Sequence, residues 1–361
     1  MAWHDRANPV SEEVKAPDEL RQLWHSSDHI PCQAHPGAAE DSVHLRITAL
    51  SLIALFAAVQ PVSGRRVESP AGNGNPFVVV LGIAQDGGVP QAGTKEHKGW
   101  DDARHSRNVV SLGIVDPLSL QRWMIDATPD FREQLHILDS IFPVDGVPGL
   151  DGIFLTHAHI GHYTGLMFLG RESIGADGVS VFAMPRMGLF LGQNGPWDQL
   201  VRLGNIVLKP LADRRAVALN DRLKITPYKV PHRQEYSEVV GFVIEGPNRS
   251  VLHIPDIDKW ELWDEEGTKI EDLIAEVDVA YLDGTFFATG EIPGRDMSTF
   301  PHPFIADSMD RFRALPPGER AKIRFIHLNH TNPAIRPESS ARDVIRNRGF
   351  RVAEELERVE L

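Results

Sequence analysis

Thr156-His157-Ala158-His159-Ile160-Gly161-His162 is the stretch on which the reading of this chain turns. It follows the apolar run Ile153-Phe154-Leu155, which reads as a buried strand, and leads into a helical pattern near Tyr163. The histidines therefore lie where a strand ends and the chain turns, spaced i, i+2 and i+5, and imidazoles so placed can converge on one point. Histidines packed this closely rarely arise as independent core or surface residues. Converging neutral imidazoles are a preferred ligand set for Zn, Fe or Mn, so the stretch predicts a metal site that includes His157, His159 and His162.

Outward from this stretch, short β-rich runs alternate with amphipathic helices and turn clusters from Phe77 to the end of the chain. Strands are expected over 77–81, 109–115, 122–125, 152–155, 179–182, 223–227, 239–244, 250–254, 277–282 and 323–328. Thr128 and Pro129 should open a helix through Leu138, and Pro337 should open the last helix, through Arg348. The pattern predicts one α/β domain over 65–361.

Two unlike segments precede it. Residues 1–42 are polar and without periodicity, and read as a leader that a misassigned start would explain, with translation beginning at Val43. Residues 43–64 read as an export signal: His44 and Arg46, then the apolar run Ile47 to Val59, then Val62 and Gly64 as the small residues before a cleavage. This predicts an exported chain, periplasmic or extracellular, maturing near Arg65, with a cytoplasmic protein as the alternative. The apolar run is shorter than the roughly 20 residues a stable membrane span needs.

Charge and cysteine content narrow the chemistry. With 37 Lys and Arg against 50 Asp and Glu the formal net charge is -13, which repels a phosphate backbone, so a small molecule or peptide is expected as substrate rather than nucleic acid. The single cysteine, Cys32, excludes an internal disulfide and a cysteine-rich zinc site. Any metal must then be held by histidine and carboxylate. Oligomeric state stays open.

The histidine stretch resembles the His-x-His-x-Asp-His motif of metallo-β-lactamase-fold proteins, which implies an αββα sandwich of two mixed β-sheets between helical layers. Gly161 stands where that family has an aspartate that ligates a second metal. The resemblance implies further ligands in order: His232 in Tyr228-Lys229-Val230-Pro231-His232, and a bridging Asp256 at the end of Ser250-Val251-Leu252-His253-Ile254-Pro255-Asp256. In Phe325-Ile326-His327-Leu328-Asn329-His330 the two-residue period of a strand puts Ile326, Leu328 and His330 on one face, so His330 is expected as the last ligand and His327 as a structural residue. His253 is expected to be packed. Asp283 and His302, in Tyr281-Leu282-Asp283-Gly284-Thr285-Phe286 and Pro301-His302-Pro303-Phe304, resemble the acidic and histidine loops of ribonuclease Z, which implies a proton relay with His302 as general acid. Asp126 resembles the buried acid that orients ligand histidines.

A narrower resemblance covers Phe77 to the C-terminus. Val80-Leu81-Gly82-Ile83-Ala84-Gln85-Asp86-Gly87-Gly88-Val89-Pro90-Gln91, Asp126-Ala127-Thr128-Pro129-Asp130, His162-Tyr163-Thr164-Gly165-Leu166 with Arg171-Glu172, and Asn332-Pro333 are similar to the coenzyme pyrroloquinoline quinone biosynthesis protein B group. Two departures matter. Thr94, Lys95, Glu96 and His97 stand where many members carry cysteines, and His157 and His159 complete a pair that biosynthetic members tend to lack.

Together these resemblances imply a metal-dependent hydrolase that uses metal-activated water, with Asp256, His302 and Asp283 catalytic. The metal is expected to be divalent, Zn ahead of Fe or Mn. A first site of His157, His159, His232 and Asp256 is favoured over a second of His162, His330 and the shared Asp256, with Glu172 the first substitute ligand to consider. An iron-dependent hydroxylase using His162, Asp256 and His330, and a non-catalytic metal-stabilised carrier, are the alternatives. Specificity is expected in the loops around Trp197 and 286–304.

Overall fold

The apolar run of β1 (Phe77–Gly82) feeds two cores at once. In the computed structural model, which describes residues 74–361, Val78 and Val80 face the interior between two sheets, whereas Phe77, Val79 and Leu81 pack on the other side with Phe131 and Leu138 of the helix Phe131–Ile141. Alternation of side chains along a strand produces this split. A strand covered on both faces must be apolar throughout, which is why it reads as an uninterrupted run. The leader and signal-like segment expected over 1–64 lie outside the described residues.

The first sheet adds β2 (Ser111–Asp116), β3 (Gln121–Ile125), β4 (Gly152–Phe154), β5 (Val179–Ala183) and β6 (Ile206–Pro210). The second contains β7 (Val217–Ala218), β8 (Lys224–Lys229), β9 (Val240–Glu245), β10 (Ser250–Ile254), β11 (Val279–Asp283), β12 (Ile323–Ile326) and β13 (Arg351–Val352). The last strand, β14 (Arg358–Glu360), returns to the first sheet, giving the orders β14-β1-β2-β3-β4-β5-β6 and β13-β12-β11-β10-β9-β8-β7. Each sheet is mixed in the same way. An antiparallel half (β14 to β3, β7 to β10) continues as a parallel half (β3 to β6, β10 to β13). Helices cover the outer faces: Met187 and Leu191 of Pro185–Gln193 join the core of the first sheet, and Trp260, Ile274, Met309 and Ile345, from four later helices, join that of the second. No helix among the described residues is long and apolar enough to cross a membrane.

Several local expectations need correction. The helix expected to open at Thr128 and Pro129 and run through Leu138 spans Phe131–Ile141 instead, with Asp130 at its N-cap position. β12 stops at Ile326 instead of running to Leu328, because His327 turns into the left-handed region with φ 63. The last helix begins at Ser340, capped by Ser339, whose side chain accepts from the Arg342 amide, and not at Pro337. β6, β7, β13 and β14 were not expected as strands. They are short or lie at sheet edges, where Lys209, Pro210, Arg351, Arg358 and Glu360 break the apolar pattern.

The strands' carboxyl ends assemble the site. Asp86 follows β1, Asp126 follows β3, and His157, His159 and His162 follow β4. His232 follows β8, Asp256 follows β10, Asp283 ends β11 and His327 follows β12. The sheets are joined beneath these residues: Ala84 bridges to both Val109 and Leu328, the Gln85 amide donates to the Leu328 carbonyl (2.9 Å), and the Leu328 amide donates to the Ile83 carbonyl (2.8 Å).

Candidate metal centre

Two groups of ligand-type atoms meet at Asp256. His157, His159, His232 and Asp256 form one group, and Asp86, His162 and His327 the other, with the atoms within each lying no more than 4.8 Å apart. Asp256 Oδ2 is 3.4 Å from His157 Nε2, 3.2 Å from His232 Nε2 and 3.9 Å from His159 Nδ1. It is also 3.9 Å from the Nε2 atoms of both His162 and His327, so this carboxylate stands between the groups.

Hydrogen bonds behind the rings decide which nitrogen faces inward. Asp126 accepts from the Thr156 amide (2.8 Å) and hydroxyl (2.9 Å) and from His162 Nδ1 (2.7 Å). Since the Thr156 hydroxyl has given its proton to Asp126, it accepts from His157 Nδ1 at 3.0 Å. The second sheet repeats this device. The Thr285 hydroxyl donates to Asp283 (2.7 Å) and accepts from His327 Nδ1 (2.9 Å). Asp258 accepts from His232 Nδ1 at 2.7 Å, and Glu235 lies 3.2 Å from His159 Nε2. Each of the five rings thereby has a partner for its outer nitrogen and turns the other nitrogen inward, the orientation in which a neutral imidazole can ligate a metal.

Those inward nitrogens face one another closely: His159 Nδ1 is 2.8 Å from His157 Nε2 and 3.3 Å from His232 Nε2. Asp86 Oδ1, His162 Nε2 and His327 Nε2 are buried without a hydrogen-bond partner. Buried acceptors that repel one another are costly unless a cation lies among them. Nitrogen and oxygen donors in this number suit a divalent transition metal.

The electrostatics point the same way. Burial opposes charge on Asp256, but His232, His327, His302 and His157 outweigh it and hold the carboxyl well below its usual range. Burial opposes Asp86 likewise, and His162 and His327 keep it low. His162 is raised to about 10 because Asp126 and Asp86 overcome burial, and His232 to about 9 because Asp256 and Asp258 do. His157 is pushed well down, by burial first and the charge of His162 second. The carboxylates thus draw positive charge into a largely buried chamber.

Asp256, Asp283 and His302 form a third group beside these. His302 Nδ1 lies 2.9 Å from Asp283 Oδ2 and 3.2 Å from Asp256 Oδ1, while Asp283 also accepts from the Ile257 and Thr285 amides. Burial lowers the His302 pKa, yet Asp283 and Asp256 prevail and raise it well above its ordinary value. The loop bearing His302 is packed by Phe286, Met297 and Phe304, and the Lys259 ammonium holds its main chain through the His302 carbonyl (3.0 Å).

Of the expected site residues, His157, His159, His162, His232, Asp256, Asp283 and His302 are brought together, and His330 is not. His330 is half-buried, its pKa lowered by burial first and by the nearby His97 second, and it belongs to none of the three groups. Alternation fails because the strand ends before His327, whose positive φ turns its ring into the chamber. Glu172 does not stand in for Gly161 either: it is exposed and paired with Arg171. Asp86 was missed as a site residue. The only sign of it in the sequence was an acidic residue amid glycines just after an apolar strand. His253 is buried as expected, and neither ring nitrogen has a partner.

A cavity of about 270 Å³ is lined in part by Arg186, Phe190, Tyr236 and Glu235, the last of which reaches His159 Nε2 at 3.2 Å. Phe190 and Tyr236 lie with ring centroids 5.3 Å apart. Trp197, whose loop was expected to bear on specificity, packs on Tyr163 at 5.0 Å, and Tyr163 packs in turn on Phe190 at 5.4 Å.

Comparisons with known proteins agree with this architecture. The β-lactamase superfamily domain profile matches residues 121–327. Coenzyme PQQ synthesis protein B of Xanthomonas campestris pv. campestris is 26% identical over 310 residues, covering 76% of this chain and 97% of that protein. A protein of the same name from Methylorubrum extorquens is also 26% identical, with the same coverage. Among solved structures, zinc-bound PqqB from Methylobacterium extorquens superposes with a TM-score of 0.64 at 22% identity, covering 79% of this chain and all (100%) of that one. A diphosphatase of the PhnP family superposes with a TM-score of 0.54 at 20% identity, covering 80% and 97%. The profile match spans more than half of the chain, and the two mixed sheets with their helical layers are those of the metallo-β-lactamase αββα sandwich: the chain belongs to the β-lactamase superfamily, in the metallo-β-lactamase fold and close to coenzyme PQQ synthesis protein B.

Proposed function

We propose that this protein is a metal-dependent hydrolase acting on a small molecule or peptide. The observation that carries the reading is the convergence of five inward-facing imidazole nitrogens on Asp256 Oδ2, next to the His302 imidazole, which lies between the Asp256 and Asp283 carboxylates. A divalent ion held by His157, His159, His232 and Asp256, Zn by analogy with the zinc-bound relative, supplies Lewis acidity and an acidified water. The chain's own part is positional. Asp283 accepts the Nδ1 proton of His302 and fixes the ring, leaving the Nε2 proton as the one His302 can deliver to a leaving group. Phe190 and Tyr236 offer flat apolar surface in the cavity that Glu235 also lines, and Arg186 a positive charge, which suits a substrate carrying an aromatic or anionic group.

A second reading has its own observation. Asp86, His162 and His327 are two histidines and one carboxylate, a set that non-haem iron oxygenases also use. One experiment separates the two. Protein loaded with Zn or Mn is tested without oxygen against esters, lactones, amides, phosphodiesters and tyrosine-containing peptides. The hydrolase reading expects turnover there, unchanged when air is admitted. Turnover that required both iron and oxygen would overturn it.

A further inference from the structure

We propose that Asp86 is a relocated metal ligand: it takes the coordination place that the superfamily fills from position 161, and Gly161 is the steric counterpart of that move. An ideal Cβ built on Gly161 would lie 2.2 Å from Asp86 Oδ1, 2.5 Å from its Cα and 2.8 Å from its Cβ. The clash is with main chain as well as side chain, so no rotamer change relieves it. An aspartate at 161 and the present course of the Asp86 loop exclude each other.

The loop is held where it is. The Gln85 amide donates to the Leu328 carbonyl at 2.9 Å, the Asn329 side chain bonds that of Gln85, and the Gly88 amide closes the turn on the Gln85 carbonyl at 2.8 Å. Gly88 has φ +64, a conformation that favours glycine. These bonds tie Asp86 to the segment that delivers His327. Asp86 Oδ1 consequently lies 3.2 Å from His162 Nε2 and 3.8 Å from His327 Nε2, and all three atoms are buried without hydrogen-bond partners. One carboxylate is lost at 161 and one gained at 86, so the chamber keeps its charge. What the motif loses in sequence, the fold restores in space.

The inference rests on the reading that the centre holds metal, and not on the reaction. The test counts ions on the full-length chain, by elemental analysis after dialysis against graded Zn-chelator buffers, with Co(II) absorption as a second readout. Wild type should hold two ions per chain. Asp86→Asn and Asp86→Ala should hold one tightly, with the other weakened about 100-fold or more, because losing even an outer partner of a ligand weakens metal binding by about 10–100-fold. Gly161→Asp alone should lower the melting temperature of the metal-free protein, and adding Asp86→Gly should restore both that temperature and the second ion. Two ions held by Asp86→Asn with wild-type affinity, or a wild type that holds one ion whatever stands at 86, would overturn the proposal. Should the double variant fail to fold, the Asp86→Asn count decides alone. Because counting needs no substrate, failure here leaves the hydrolase reading standing on the first group. An inactive protein with an Asp86-dependent second ion would fail only the hydrolase reading.

Discussion

One backbone rotation, at His327, decides which of two neighbouring histidines enters the chamber. A non-glycine residue in the left-handed region costs about 1 kcal/mol or more, and here that strain places a ring where alternation would have put it on the opposite face. His327→Ala should therefore remove metal from the second group, whereas His330→Ala should leave metal content unchanged and turnover within about twofold; elemental analysis of the two variants checks both. A strand's period can be read from sequence, but its last residue cannot, so His330 was the natural expectation, and it is His327 whose ring faces the chamber. Asp86 was hidden for a related reason: its role depends on a contact with Gly161 made only when two distant loops meet. The histidine cluster was legible because its spacing is local. At His302 the expectation is kinetic: His302→Gln should slow turnover roughly 10²–10⁴-fold, the usual scale for a general acid, with the ion count unchanged. Loss of metal in that variant would make the residue structural. His253, buried with both nitrogens unpartnered, should be better replaced by an apolar side chain. His253→Leu is expected to raise stability by about 1 kcal/mol in chemical denaturation.

Among the elements, the central strands were legible wherever both faces are covered, since a doubly buried strand must be apolar throughout. The edge strands were not. β14 offers one buried residue, Val359, between Arg358 and Glu360, and pairs with β1 through contacts remote in sequence. The turn before it carries Glu355, which accepts from the Asn108 amide at 2.7 Å; burial raises its pKa to about 7, with Asp130 and Glu354 adding to the shift against that hydrogen bond and Arg107. The sign follows from linkage. A carboxyl whose folded pKa exceeds its unfolded value binds more protons when folded, so this group favours folding below about pH 4.5, and that contribution is lost as pH rises toward 7. The loss is at most roughly 3 kcal/mol, and less for a part-exposed group. Glu355→Gln should flatten the fall in denaturation free energy between pH 5 and about 7.5. An unchanged slope would place the ionisation elsewhere.

For the molecule as a whole, a chamber of inward-facing lone pairs and carboxylates makes metal part of the stability. An ion present at a thousand times its dissociation constant adds about 4 kcal/mol, so chelation should lower the melting temperature by about 10 °C, and calorimetry with and without chelator measures it. An unaltered transition would show that the cage closes without an ion. The Ala84 seam carries this further. The Gln85 and Leu328 amides are bonded across the junction of the two sheets, one residue from Asp86 and His327 respectively. A proton on either amide can be traded for deuterium only when that junction parts, and the junction cannot part without separating Asp86 from His327. These two amides are thus a built-in gauge of the centre: their isotope exchange should slow on metal loading by the same factor as each other, while amides on the edge strand β6 keep their rate.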